Sequence, residues 1–211
     1  MSTMILYGNP GWGSALVEAQ LDWLGLSYRY EAVGNLFTSA EARDRMGAVN
    51  PLAQVPALVL EDGRVLTESA AITLHLADLT GRDDLVPGPG ARERPEFLRW
   101  LVYFVANIYP TFTYADEPAR FVSQEAARQP FREAVDAYAK RLYGVLEEAA
   151  GAPWFLSDRF SALDIYIAVA TRWRPRRDWF AGNTPKLNAI ALRADALPQL
   201  EPMRARNFPK G

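Results

Sequence analysis

Asn50-Pro-Leu-Ala-Gln-Val-Pro-Ala-Leu58 and, shortly after it, Leu66-Thr-Glu-Ser-Ala-Ala-Ile72 decide the fold. Ala57-Leu-Val-Leu60 is a short apolar run directly behind Pro56 and reads as a strand. Glu61-Asp62-Gly63 supplies a tight Asp-Gly turn, and Arg64-Val-Leu66 completes a hairpin. From Glu68 the pattern changes period: Ala71, Ile72, Leu76 and Leu79 share one face of a helix that stops at Gly81.

Working outward, Thr3-Met-Ile-Leu-Tyr7 is a strand entering a turn at Gly8-Asn-Pro10-Gly11. Ser14 opens a helix with Leu16, Val17, Leu21 and Leu24 on its apolar face and Gly25 as its stop. Residues 27–33 read as a second strand, and the polar stretch 39–46 as a short or irregular helix. The order is βαβ, a variable helix, then ββα, one compact unit over residues 1–81. Pro87-Gly-Pro-Gly90 marks a linker over 82–94. Residues 95–211 read as an all-helical domain: a helix to about Tyr109, stopped or kinked at Pro110, a long one over 124–150 kinked at Pro130, a third over 161–174, and shorter ones after Thr184 and Pro198.

Composition closes off several functions. A net charge of −2, from 23 basic and 25 acidic residues, gives no electrostatic footprint for nucleic acid. No stretch approaches a membrane span and residues 1–12 lack the pattern of a leader, so the expectation is a cytoplasmic protein. The chain has no cysteine, which excludes disulfides, thiolate metal sites and any protein thiol nucleophile. His75 is the only histidine, so a histidine-built zinc site is not expected and no metal is assigned. Any thiol chemistry here must use a thiol brought from outside.

The two opening motifs, followed by Phe160-Ser-Ala-Leu-Asp-Ile165, resemble in order and separation the N-P-x-x-x-V-P-x-L, L-x-E-S-x-A-I and buried capping-box segments of the cytosolic glutathione S-transferases. The resemblance covers essentially the whole chain. It implies a thioredoxin-like N-terminal domain, an all-α C-terminal domain, glutathione as co-substrate, and a homodimer. It further implies a cis bond before Pro56 and a Val55 backbone turned outward, able to pair with the cysteinyl part of glutathione as an added strand. Ser69 and the helix N-terminus would take the γ-glutamyl carboxylate, Glu68 the α-ammonium, and Gln54 the ligand backbone. The plainer reading of Glu68 and Ser69 is that they cap the helix. Ser161-Ala-Leu-Asp164 is read as a structural capping box.

The segment Leu6-Tyr-Gly-Asn-Pro-Gly-Trp-Gly-Ser-Ala-Leu16 is most similar to the bacterial beta class, which places a cysteine where this chain has Gly13. Two hydroxyls remain to activate the thiol, Ser14 and Tyr7, or neither does so. Ser14 doubles as a helix N-cap, and Tyr7 as an ordinary strand residue. For the electrophile, the candidates are Trp12, Tyr103, Tyr109 and Phe112, with Tyr114 nearby; aromatics at helical spacing are equally good core. Arg172, Arg174, Arg176 and Arg177 could meet an anion or form a solvated helix end. The activity implied is conjugation of glutathione to small hydrophobic electrophiles, with detoxification as its role. Alternatives are a glutathione-dependent isomerase, ether-cleaving enzyme or dehalogenase, or a non-catalytic module of the same fold.

Overall fold

The computed structural model describes residues 3–209. Strand β1 (Met4–Gly8) leads into α1 (Ser14–Leu24), β2 (Tyr28–Ala32), α2 (Ala40–Gly47), the hairpin β3 (Ala57–Val59) and β4 (Val65–Thr67), and α3 (Ser69–Thr80). The four strands form one mixed sheet in the order β2-β1-β3-β4. β1 runs parallel to β2, with Met4 opposite Tyr28, and antiparallel to β3, with Leu6 opposite Leu58. This is a thioredoxin-like domain, and the remainder of the chain is largely helical.

Local chemistry accounts for these elements. Along β1, Met4, Leu6 and Gly8 are buried while Ile5 and Tyr7 are half-buried, the period-two pattern of a strand with one covered face. Gly25 closes α1 in the left-handed region (φ 69°), and the Leu26 N–H returns to the Leu21 carbonyl at 3.0 Å. Gly63 (φ 86°) completes the hairpin turn, where the Asp62 carboxylate accepts the Arg64 N–H at 3.0 Å. A Cβ at Gly8 would overlap the Ser14 hydroxyl and lie 2.9 Å from the Tyr30 oxygen, so β1 and α1 need glycine to come this close.

The chain forms two compact units, one comprising residues up to Val86 and from Arg193 onward, the other Pro87–Leu192. Residues 193 onward, expected within the helical domain, therefore join the first unit. Side chains near the end of this stretch, Arg206 and Asn207, hydrogen-bond to Glu18 of α1.

In the second unit α4 (Arg94–Tyr103) does not stop before Pro110. It passes through a π-helical turn (Phe104–Ile108) into α5 (Tyr109–Asp116). Proline lacks an N–H and crowds the carbonyl four residues back, and the wider turn before it is where the ladder adjusts. α6 (Glu125–Ala149) likewise runs on through Pro130. After α7 (Ala162–Ala170) come α8 (Arg177–Asn183), which the sequence reading missed, α9 (Pro185–Asp195) and, in the first unit, α10 (Glu201–Asn207). Aromatic edges fill this core: Phe104 meets Tyr166 at 5.3 Å and Tyr143 meets Phe180 at 4.8 Å between centroids.

Candidate functional site

The segment before β3 is held open. Asn50 is buried and braces it from within: its Nδ2 donates to the Gln54 carbonyl at 2.9 Å, its Oδ1 accepts the Leu52 N–H at 3.1 Å, and its carbonyl accepts the Ala53 N–H at 2.7 Å. Ala53 adopts φ 48°, and the Val55–Pro56 bond is cis, as the resemblance implied. Pairing of β3 with β1 and β4 begins only at Ala57, so the Val55 N–H and C=O lie outside both ladders. Gln54 is exposed beside it.

Glu68 and Ser69 stand at the start of α3. Glu68 is exposed with φ 63°, and neither it nor any neighbour caps the helix with a side chain. Ser69 is buried, 3% exposed, yet its Oγ has no hydrogen-bond partner. The capping reading of this pair is therefore not what the helix uses. An unpartnered hydroxyl at the positive end of a helix, where first-turn N–H groups have no intrahelical partner, suits an anion chemically.

Tyr7, Trp12 and Val55 pack together against one small core of Val33, Leu36, Ala42, Met46 and Ala57. Phe37, which the sequence reading passed over, lies 4.9 Å from the Trp12 ring. Ser14 is placed differently. It is fully buried, and its hydroxyl accepts the Asn9 N–H and donates to the Asn9 carbonyl, each at 3.1 Å. Its oxygen braces the turn between β1 and α1. Burial also pushes the neighbouring Tyr30 phenol up.

In the helical unit Tyr109 and Phe112 come together with Trp173, at 5.9 and 5.2 Å between centroids. Trp173 was not singled out from sequence; a tryptophan just after an apolar helix carries no periodic signal. Tyr103 is not part of this cluster's chemistry, since its Oη donates to the Leu142 carbonyl at 3.1 Å. Arg174 is drawn onto Asp116 at 2.8 Å and Asp136 at 3.6 Å, and Arg177 donates to the Ala168 carbonyl at 2.8 Å. Both arginines therefore serve as ties within the unit. Among the described residues no group of three His, Cys, Asp or Glu is arranged to hold a metal, and no helix is long and apolar enough to cross a membrane.

A thioredoxin-like sheet with Val55 outside its ladders before a cis proline, an uncapped Glu-Ser helix start and a helical second part define the glutathione-transferase class of folds. The comparisons agree. The family described as "Glutathione S-transferase, N-terminal domain" matches residues 17–79. The chain is 37% identical to the "Uncharacterized GST-like protein YncG" of Escherichia coli (strain K12), over 96% of this chain and 97% of that one. It is 30% identical to Glutathione S-transferase GstA of Escherichia coli O157:H7, over 81% of this chain and 82% of that one. A sphingomonad glutathione S-transferase solved in complex with glutathione has a TM-score of 0.78 and 26% identity, over 97% of this chain and 99% of that one. The chain belongs to the glutathione S-transferase family.

Proposed function

We propose that this protein holds glutathione at Gln54, Val55-Pro56 and Glu68-Ser69 and transfers it, as the thiolate, to small hydrophobic electrophiles. The observation that carries the reading is the buried, unpartnered Ser69 Oγ at the first turn of α3. A buried hydroxyl without a partner is costly, and the γ-glutamyl carboxylate is the acceptor that would satisfy it. The Glu68 carboxylate then accepts from the α-ammonium, and the Val55 main chain, outside both ladders, pairs with the cysteinyl residue.

Of the two hydroxyls, Tyr7 is the one we assign to the thiolate. It is half-buried beside Trp12 and Val55, whereas the Ser14 hydroxyl is enclosed and engaged at both ends by Asn9. Lowering a thiol by ~2 pKa units from about 8.5 raises its ionised fraction roughly twentyfold at about pH 7, and the accompanying loss of nucleophilicity returns much of that. Tyr7→Phe is therefore expected to lower kcat by no more than about tenfold. A larger part of the rate comes from holding the electrophile beside the sulfur. For contact with the electrophile we assign Tyr109 and Phe112, with Trp173 beside them, while Trp12 lines the glutathione seat.

Retention on immobilised glutathione together with conjugation of chlorodinitrobenzene tests the reading. Failure to be retained sinks it; retention without turnover of any electrophile supports the non-catalytic alternative. A cytoplasmic homodimer is part of the same proposal, and sedimentation at the mass of one chain would overturn that part alone.

A further inference from the structure

The last helix reaches the turn that leads into α1. Asn207, buried on α10, accepts the Gly11 N–H on its Oδ1 at 3.0 Å and donates from Nδ2 to the Glu18 carboxylate at 2.6 Å and to the Met203 carbonyl at 3.0 Å. Glu18 sits on α1 and is 2% exposed, so its charge is tolerated only because partners surround it. Arg206 supplies the rest, donating to Glu18 and Asp22 and, at 3.1 Å, to the Tyr28 hydroxyl. Gly11 is itself left-handed (φ 78°) and stands next to Trp12, which packs with Tyr7 and Val55. One amide side chain thus joins the buried carboxylate of α1 to the backbone of the turn that carries Trp12.

Resting on the transferase reading above, we infer that Asn207 is a positioning residue for the thiol reaction: it fixes Gly11, and through it Trp12 and the N-terminal end of α1. Neither Arg206 nor Glu18 alone can do this, because only the Asn207 side chain offers an acceptor to the Gly11 N–H and a donor to Glu18 at once. Asn207→Ala leaves the Arg206–Glu18 pair in place, so the fold is retained while the turn loses its tether. Asn207→Asp keeps the acceptor for Gly11 but sets a second carboxylate against Glu18. Combining Asn207→Asp with Glu18→Gln exchanges donor and acceptor across the contact and restores the bonds to Gly11 and to residue 18, while the bond to the Met203 carbonyl stays lost in the single and the double variant alike.

The test is amide hydrogen exchange of the peptide spanning residues 9–13, together with steady-state conjugation kinetics at a temperature where every variant is folded. In Asn207→Ala the turn is expected to exchange faster, and kcat to fall severalfold with a smaller change in KM for glutathione, the signature of misplaced reacting groups. The Asn207→Asp/Glu18→Gln pair is expected to recover kcat and protection above Asn207→Asp alone. Unchanged exchange in the turn overturns the tether, and so does a double variant no better than the single one. Faster exchange with unaltered kcat overturns the positioning role. A wild-type chain that conjugates nothing overturns the transferase reading and with it that role; the exchange measurement needs no glutathione, and it then decides the tether by itself.

Discussion

Two helices of this protein begin with a serine and an acid, and they use them in opposite ways. At α7, Ser161 and Asp164 satisfy one another. The Asp164 carboxylate accepts the Ser161 N–H and the Phe155 N–H, each at 2.8 Å, and the Ser161 hydroxyl at 3.3 Å, while the Ser161 oxygen accepts the Leu163 N–H at 3.3 Å. At α3, neither the Glu68 nor the Ser69 side chain caps the helix, and the Ser69 Oγ is buried without a partner. A closed set of hydrogen bonds makes a structural device, whereas an open one marks a place that a ligand completes. Residue types alone do not separate the two; the partners do.

The largest effect should come from breaking the closed set. Asp164→Ala removes three acceptor contacts in a fully buried place and leaves the Ser161 and Phe155 N–H groups unpaired, a loss of about 3 kcal/mol or more. Chemical denaturation should show this as a lower midpoint, with KM for glutathione unchanged in the protein that remains folded. A marked rise in KM would break the comparison.

The open set should respond in the reverse sense. If Ser69 binds as proposed, Ser69→Ala removes a hydrogen bond to a charged group of the ligand, about 1.5–3 kcal/mol, so KM for glutathione should rise roughly tenfold to a hundredfold while thermal stability scarcely moves. A fall of many degrees in Tm would place Ser69 with the structural residues instead.

The closed set also predicts a pH dependence. Burial pushes the Asp164 carboxyl up from 3.8 to about 7, overcoming the donors that face it. Because the folded protein holds this proton more tightly than the unfolded chain, the group's contribution is complete below its ordinary value of 3.8. It is lost as pH rises through about 7. Unfolding free energies across that interval should fall in the wild type and fall less in Asp164→Asn; parallel profiles would show that the carboxyl is not the source.

The smallest change should be a gain. Glu68 occupies φ 63° and ψ 108°, a backbone state that strains a side chain but not glycine. Glu68→Gly should raise stability by about 1 kcal/mol and still weaken glutathione retention, because the proposed acceptor for the ammonium goes with the strain. Loss of both stability and retention would mean that Glu68 holds the helix after all.

Most of the first unit was legible because its boundaries rest on local signals. Gly25, Gly63 and Gly81 all adopt the left-handed backbone expected of helix stops and a hairpin turn, and Ser39 caps α2 by accepting the Ala42 N–H at 3.1 Å. The proposed seat rests on motif, but the bracing of its loop by Asn50 was not read, since one buried side chain serving two backbone groups leaves no periodic trace. Ser14 was legible as a helix start and not as an enclosed hydroxyl, which depends on its approach to Gly8. The passage of α4 through Pro110 depends on a π-turn, for which composition gives no cue. Least legible was the return of α10, where Arg206 and Asn207 read like any polar tail until Glu18 is known to be buried beneath them.

That return has a consequence for how the chain is made. A polypeptide leaves the ribosome from its N-terminus, so α1 emerges with Glu18 long before residues 206 and 207 exist to cover it. All of Pro87–Leu192 must be synthesised in between. The sheet and α1 can assemble early, but a buried carboxylate without its arginine and amide is a poor core. Completion of the first unit thus awaits the synthesis of α10, and the helical unit, whose residues are contiguous, is free to finish before it.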